Sequence, residues 1–269
     1  MIIPFTVSRP VIGIVGGVGP FAGLDLNRKI FDNTLTDGTD QDHLEVILYS
    51  TGSLVTDRTD WLLYGMSESP AMGLYEALRA LSEAGATVAA IACNTAHSIR
   101  IMQPLRMMLE QGEVEIELLD MITETGRFIR EQFATKHGEP VRVGLLATRG
   151  TLETGVYDRL EFESPGGIKV VRPDHNVAAA VHGAIYNRQW GIKARSLPVT
   201  GQARGECLRA AEHLTGKELQ GMILGCTELP LALAESEISG VRLIDPGQIM
   251  ARALIAHVAP DKLKPLGEL

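Results

Sequence analysis

The sequence predicts an α/β protein of two similar parallel-sheet domains, related by an approximate two-fold axis, with an active site in the cleft between them. Short apolar runs of strand length recur along the chain and end at glycine or a polar residue, as buried strands of parallel sheets do. The runs also follow the same order in both halves. Ile12 to Cys93 spans 81 residues and Val143 to Cys226 spans 83, so we interpret the chain as a duplication of one α/β unit.

The first half begins with a strand and a glycine turn that leads into a helix. Pro20 stands near the first position of this helix, where the missing N–H is tolerated. The predicted strands of this half are Val11–Gly17, Glu45–Ser50, Val88–Cys93 and Ile116–Asp120, and further helices are predicted at Leu74–Gly85 and Asn94–Leu109.

The second half repeats this order of strands. Its predicted strands are Val141–Thr148, Ile168–Arg172, Gly221–Cys226 and Val241–Asp245, and helices are predicted at Asn176–Gly191 and Ile249–Val258. We predict a first domain of residues 1–113 together with 243–269, and a second domain of residues 114–242.

Composition excludes several classes of function. A formal net charge of −8 without a basic stripe disfavours nucleic-acid binding. No segment approaches the roughly 18 apolar residues of a membrane span, and the first ten residues lack the pattern of a secretory signal. Three cysteines without a CxxC pair form neither a disulfide framework nor a zinc site. We expect a cytoplasmic protein with reduced thiols and a small-molecule substrate, and leave a homodimer open.

Two of the three cysteines occupy equivalent positions. Cys93 and Cys226 each end a buried strand, and Thr95 or Thr227 follows within two residues. Ligands of parallel sheets lie beyond the carboxyl ends of the strands, so we expect the two thiols to face one cleft. Cys207 lies within a predicted helix and is interpreted as structural.

Anion-binding groups are predicted near the first thiol. Backbone N–H groups of the turn at Gly17 suit a carboxylate, although the turn could serve packing alone, and a dinucleotide fingerprint is disfavoured because the second strand ends without an acid. Arg58 presents a planar fork to a carboxylate, unless it is a surface arginine. Asn94 and Thr95 are expected at a helix N-terminus that favours a thiolate, and His97 is interpreted as structural.

Two hydroxyls, of Thr148 and Thr151, follow the first strand of the second half, where they could hold the other end of a substrate. A helix cap is the alternative for Thr148. Two distant thiols without further Cys or His ligands suit neither disulfide exchange nor metal binding. They suit proton transfer on both faces of one carbon, in which one thiolate removes the α-proton and the opposite thiol returns one.

The chain contains the strings IGIVGGVGP, DRT, CNTAH, LLATRGT and GCTELPL. In this order and spread they resemble the aspartate/glutamate racemase family, which works without pyridoxal phosphate. The resemblance covers most of the chain and implies a cofactor-free racemase with two α/β domains. It implies that Cys93 and Cys226 are the catalytic acid and base.

The resemblance also implies the substrate-binding residues. The amino and carboxylate groups of the substrate would be bound by Asn94, Thr95, Thr148 and Thr151, and its side-chain carboxylate by Arg58, while Gly17 and Thr227 complete the candidate set. The family often reads Ile-Tyr-x-x-Ile-Lys-x-Gly, whereas here Trp190 is expected in the place of the lysine. Substrate range would then widen from aspartate toward glutamate or other amino acids, unless Lys193 or Arg188 supplies the charge.

Two other classes of function stay open. One is a related enzyme, such as a hydantoin racemase or a maleate isomerase, and the other is a noncatalytic small-molecule-binding relative, because fold alone does not prove function.

Overall fold

Two separate sheets form the framework of the protein in a computed structural model that describes residues 10–66, 68–133, 139–163 and 167–267. The strands are β1 (Ile12–Gly16), β2 (Val46–Ser50), β3 (Val88–Ile91), β4 (Glu117–Leu118), β5 (Val141–Ala147), β6 (Ile168–Val171), β7 (Gly221–Gly225), β8 (Glu237–Ile238) and β9 (Val241–Ile244). The first sheet has the order β2-β1-β3-β4 and the second the order β6-β5-β7-β9-β8.

The sheet topology confirms the duplication. The four parallel strands of each half take the same relative order, β2-β1-β3-β4 in the first and β6-β5-β7-β9 in the second. The second sheet adds β8, an antiparallel edge strand of two residues that the sequence analysis did not predict. The fold is thus α/β with two parallel-sheet units, as predicted.

Helices cover both faces of each sheet. They are α1 (Pro20–Asp32), α2 (Arg58–Tyr64), α3 (Pro70–Glu83), α4 (Ile99–Gln111), α5 (Met121–Gln132), α6 (Arg149–Glu153), α7 (Arg159–Glu163), α8 (His175–Tyr186), α9 (Gly201–Thr215), α10 (Leu229–Ala232) and α11 (Pro246–Val258). None of the described helices is long and apolar enough to cross a membrane.

Alternation of side chains along the strands produces four apolar layers. In β1, Val15 packs with α3 and α4, whereas Ile12 and Ile14 pack with α1 and α11 on the opposite face. In the second sheet, Leu146 faces α8 and α9, and Leu145 faces α5 and α7. Because the strands are buried on both faces, their residues read as continuous apolar runs.

The chain changes sheets twice, each time at a helix whose N-cap is an aspartate. Helix α5 follows β4 of the first sheet but packs against the second, and α11 follows β9 of the second sheet but packs against the first. Strand β4 follows the predicted limit at 113/114, and β9 spans the predicted limit at 242/243. The division into domains stays a prediction.

The two N-cap aspartates form reciprocal ion pairs. Asp120 accepts bonds from two backbone N–H groups of α5 and pairs with Arg159 of the second half. Asp245 accepts one backbone N–H of α11, that of Gly247, and its Oδ2 lies 2.5 Å from Nζ of Lys29 in the first half. Equivalent positions of the duplicated unit thus fix the two places where the chain passes between the sheets.

Asp120→Asn should make the unfolding free energy less dependent on pH in the acid range. Burial opposes the charge of Asp120, but His97, Arg159 and the capping N–H groups outweigh it and lower its pKa to about 2. A lowered pKa stabilises the fold above the pKa of the unfolded carboxyl, near 4, and this contribution is lost as the pH falls toward 2. We expect the variant to lose about 2 kcal/mol of unfolding free energy at neutral pH and nothing at the acid end.

Denaturant unfolding at a series of pH values measures this effect. Asp40→Asn, at an exposed carboxylate, is the matched control and should follow the wild type throughout. If the unfolding free energy of Asp120→Asn fell in parallel with that of the wild type between pH 4 and pH 2, the result would contradict the stabilising role of the Asp120–Arg159 ion pair.

Candidate active site

Both strand-end thiols line one cavity between the two halves. Cys93 follows β3, Cys226 follows β7, and their exposed fractions are 7% and 8%. The other lining residues are Val18, Arg58, Asn94, Thr95, Thr148, Tyr186, Lys193, Thr227 and Glu228. The cavity has a volume of about 10 Å³, enough for about one water molecule.

A histidine fixes the backbone after Cys93. The chain forms a short 3-10 turn over Thr95–His97, and α4 begins only at Ile99. The predicted helix therefore starts too early at Asn94, because the extended backbone of Ser98 (ψ 136°) separates this turn from α4. Nδ1–H of His97 donates to the Cys93 carbonyl (2.9 Å). Nε2 of His97 accepts the Met121 N–H (3.2 Å). Burial lowers the pKa of His97, consistent with a neutral, structural ring.

The positive group beside Cys93 is a buried guanidinium. Arg58 is the first residue of α2, and Asp57 caps this helix. Nη2 of Arg58 donates to the Val18 carbonyl (2.6 Å) and Nη1 to the Thr56 carbonyl (3.1 Å), while Nε has no protein partner. Burial opposes its charge, but Cys93 and Asp57 outweigh burial and raise the pKa of Arg58. A permanently charged guanidinium therefore lies next to Cys93 in the cavity wall.

The surroundings of Cys226 have the opposite character. Its Sγ lies 4.0 Å from Oε2 of Glu228, which in turn lies 2.8 Å from Nζ of Lys193. Burial first, and the charge of Glu228 second, raise the pKa of Cys226 to about 12. The two thiols of the duplicated unit therefore have unlike neighbours.

Asn94 offers a hydrogen-bond donor to the cavity. Its Oδ1 accepts the hydroxyl of Tyr157 (2.5 Å), and its Nδ2 has no protein partner although the residue is only 1% exposed. Burying an amide without a partner is costly. A bound carboxylate would satisfy this donor, which agrees with the predicted role of Asn94 in substrate binding.

Threonine hydroxyls join the two halves around the thiols. Oγ1 of Thr95 lies 2.8 Å from that of Thr151 and 3.2 Å from that of Thr148. Thr148 also caps α6, so the cap alternative is correct and coexists with a place in the cavity wall. Thr227 of the second half donates to the carbonyl of Ala92 (3.0 Å) in the first half.

Two predicted binding residues lie outside the cavity wall. Thr151 is fully buried behind Thr95 and Thr148. Gly17 has a φ of +77° and packs so closely on the next loop that a Cβ would stand 2.5 Å from the Thr51 nitrogen. Packing therefore accounts for the glycine at position 17.

Trp190 does not take the place of a lysine in the site, so this expectation is wrong. Helix α8 ends at Tyr186, earlier than predicted, because Oδ1 of Asn187 accepts the N–H groups of Gln189 and Trp190 in a tight turn. Trp190 then packs against the core of the second sheet, and Lys193, which follows Ile192, lines the cavity.

The sequence analysis missed three residues of the site or underrated them. Glu228 lies within GCTELPL and could have been marked from its distance of two residues to Cys226. Tyr186 lies on the predicted helix Asn176–Gly191 without an assigned role, and its hydroxyl donates to Oδ2 of Asp57 (3.0 Å) across the interface. Lys193 entered only as an alternative, because the turn that brings it into the site leaves no periodic pattern.

Metal ligands are not grouped in the described part of the chain. No set of three or more His, Cys, Asp or Glu side chains there could hold a metal ion. The cavity wall instead presents two thiols, two cations, one carboxylate and several neutral donors.

Residues 15–254 match the family model described as Asp/Glu/Hydantoin racemase. The chain belongs to this family. Among curated relatives, the glutamate racemase of Symbiobacterium thermophilum is 27% identical over 165 residues, which cover 60% of this chain and 52% of that protein. The match thus spans about half the length of that relative.

Solved structures of similar proteins share the fold over nearly the whole chain. The aspartate racemase of Picrophilus torridus superposes with a TM-score of 0.73 at 25% identity, covering 95% of this chain and 96% of that one. A putative Asp/Glu racemase from Yersinia pestis gives a TM-score of 0.69 at 26% identity, covering 93% and 99%.

Tyr186→Phe should destabilise the contact between the halves. The variant removes a buried hydroxyl that donates to the Asp57 carboxylate, and hydrogen bonds to charged groups contribute about 1.5 to 3 kcal/mol. We expect a loss of this size in the unfolding free energy, measured by denaturant titration. Tyr49→Phe, at an exposed tyrosine, should change stability by less than about 0.5 kcal/mol; equal effects of the two substitutions would count against the interface role of Tyr186.

Proposed function

We propose that the protein racemises an acidic amino acid, aspartate or glutamate, without a cofactor, by proton transfer between Cys93 and Cys226. The observation that carries the proposal is the pair of thiols in the wall of one cavity, one beside a guanidinium and the other beside a carboxylate. Family membership supports the class of reaction, and the names of the relatives support the class of substrate.

The chemistry needs one proton removed and one returned. With the α-carbon between the sulfurs, the Cys93 thiolate removes the α-proton from one face and becomes a thiol. The Cys226 thiol gives its proton to the other face and becomes a thiolate, and the product is the mirror image. The opposite enantiomer requires the reverse assignment.

The site can compensate the charge that develops on the substrate. The unpartnered Nδ2 of Asn94 could donate to the α-carboxylate, and this bond would strengthen as negative charge spreads onto that group. Thr95, Thr148 and Thr227 add hydroxyls around it. Because these side chains are buried, their hydrogen bonds to a substrate would meet less competition from water.

Two cations support a dicarboxylic substrate. Arg58 and Lys193 both line the cavity. Lys193 thus supplies the positive charge that was expected to be missing with Trp190 at the lysine position. Guanidinium and ammonium groups recognise carboxylates through charge-assisted bonds. The proposed range of substrates, aspartate and glutamate, is therefore narrower than the range that the sequence alone implied.

Cys93→Ser and Cys226→Ser should each abolish racemisation with the fold retained. Exchanging thiol for hydroxyl changes volume little but acidity greatly, and loss of a general acid or base costs about 10²- to 10⁴-fold in rate. Cys207→Ser, in the core of the second sheet, is the matched control and should stay near wild-type activity. The measurement is the interconversion of aspartate or glutamate enantiomers, with melting curves to check folding.

Exchange of the α-proton in D₂O separates the proposal from its alternatives. A racemase of acidic amino acids must incorporate deuterium into aspartate or glutamate during turnover. Exchange into a hydantoin alone, isomerisation of maleate alone, or binding without exchange would replace the proposal with one of the other functions. Equal losses in all three cysteine variants would contradict the pair of thiols.

Lys193→Met should weaken selection for acidic substrates. Loss of one charge-assisted bond should reduce kcat/KM for aspartate and glutamate by about ten- to a hundredfold, and less for a neutral amino acid of similar size. Trp190→Phe should leave this ratio unchanged because Trp190 packs in the core. A loss of selectivity in Trp190→Phe but not in Lys193→Met would overturn the assignment of the side-chain pocket.

A further inference from the structure

A buried carboxylate from the second half lies against both the second thiol and the first half. The side chain of Glu228 is 3% exposed, and its Oε2 lies between Nζ of Lys193 at 2.8 Å and Sγ of Cys226 at 4.0 Å. A buried carboxylate is stable as an anion only with a partner. Lys193 supplies that partner and so holds negative charge next to Cys226.

Gly19 provides the space for this carboxylate. A Cβ at position 19 would stand 2.7 Å from Oε1 of Glu228. The φ of Gly19 is 166°, an extended backbone that any residue adopts, so the glycine is required for space and not for conformation. The glycine turn of the first half therefore accommodates a carboxylate of the protein itself.

The charges around the two thiols differ in sign. Cys226 faces Glu228 and Lys193 from its own half, with Tyr186 and Cys93 also close enough to interact with it. One donor of the Lys193 ammonium faces Glu228, whereas Nε of the guanidinium beside Cys93 has no partner among the described residues. A thiol next to an anion retains its proton, and a thiol next to a cation releases it.

We propose that Glu228 is a positioning residue that keeps Cys226 as a thiol in the resting enzyme, with its proton available for donation to the substrate. The inference rests on the proposed two-thiol racemisation. The proposal means that the free protein is ready for one direction of the reaction, in which Cys226 donates a proton to the substrate and Cys93 accepts one from it.

A titration of the thiols tests this without any substrate. The protein is labelled with isotopically enriched cysteine, and the Cβ resonances of Cys93, Cys207 and Cys226 are followed by NMR as the pH rises. In the wild type, Cys226 should stay in the thiol form over the alkaline range in which the protein remains folded. In Glu228→Gln its pKa should fall by about one unit or more, so that at least about ten times more thiolate forms at a given pH.

Internal and matched controls accompany the titration. The Cys207 resonance should not change between variants, and Glu235→Gln, at a half-exposed carboxylate paired with Arg204, should match the wild type. An unchanged Cys226 titration in folded Glu228→Gln overturns the proposal. So does an equal shift of Cys207, which would indicate general loosening.

A second variant covers the case in which Glu228→Gln leaves Lys193 unpaired and fails to fold. Glu228→Gln combined with Lys193→Met removes both charges at similar volume, which proteins often tolerate. The pKa of Cys226 should still fall, by less than in the single variant, because Glu228 influences the thiol more than Lys193 does. A Cys226 titration equal to the wild type here overturns the proposal as well.

Steady-state kinetics give a separate test. The equilibrium constant between mirror-image amino acids is one, so kcat/KM must be equal for both enantiomers in every variant. A change in the protonation of the free enzyme can therefore distinguish the two enantiomers only through kcat and KM taken separately. Glu228→Gln should lower kcat and KM together for one enantiomer by about tenfold relative to the other. A uniform fall for both enantiomers would indicate a merely structural role.

The two proposals fail in distinguishable ways. A protein whose Cys226 titration shifts as expected but which exchanges no α-proton refutes the proposed function alone. An active racemase whose Cys226 titration is the same with and without Glu228 refutes the role of Glu228 alone.

Discussion

Burial of charge between the two halves is the constraint on which the rest of the structure depends. Arg58 and Glu228 are nearly inaccessible to water, and taking a charged side chain out of water costs several kcal/mol unless partners compensate it. Each therefore needs neighbours. Backbone carbonyls and Asp57 surround Arg58, and Lys193 pairs with Glu228. The thiols lie inside this arrangement, and their chemistry follows from it.

The strands and their order could be predicted because they depend on a repeated pattern. Each core strand is an apolar run, and the two runs that end in cysteine fix the equivalence of the halves. The edge strand β8 could not be predicted, since two residues carry no periodicity. Trp190 was expected at the lysine position, with Lys193 only an alternative, because the predicted helix runs past Tyr186. The Asn187 side chain ends α8 there, and turn chemistry of this kind competes with a helical pattern.

The predicted environment of Cys93 shows a different limit. A helix dipole was expected to favour the thiolate, but only a 3-10 turn follows Cys93, and the positive group is Arg58, 35 residues earlier in the chain. Sequence reasoning found both residues without finding that they act on one another. Long-range pairing of side chains is decided by how the loops after β2 and β3 fold over the same sheet edge, and no local pattern encodes it.

Duplication gives the protein two equivalent backbones, whereas racemisation needs two thiols in unequal states of protonation. The repeat accounts for what the halves share: the strand order, the cysteine after the third strand, and the aspartate that caps each crossing helix. The inequality comes from side chains that the repeat does not share. Arg58 lies beside Cys93, whereas Cys226 lies beside the ion pair of Glu228 and Lys193. The position two residues after the cysteine is Thr95 in one half and Glu228 in the other. In the proposed reaction this scaffold would bring both sulfurs to one carbon, and the unlike charged groups beside them would distinguish the thiol that donates a proton from the one that accepts it.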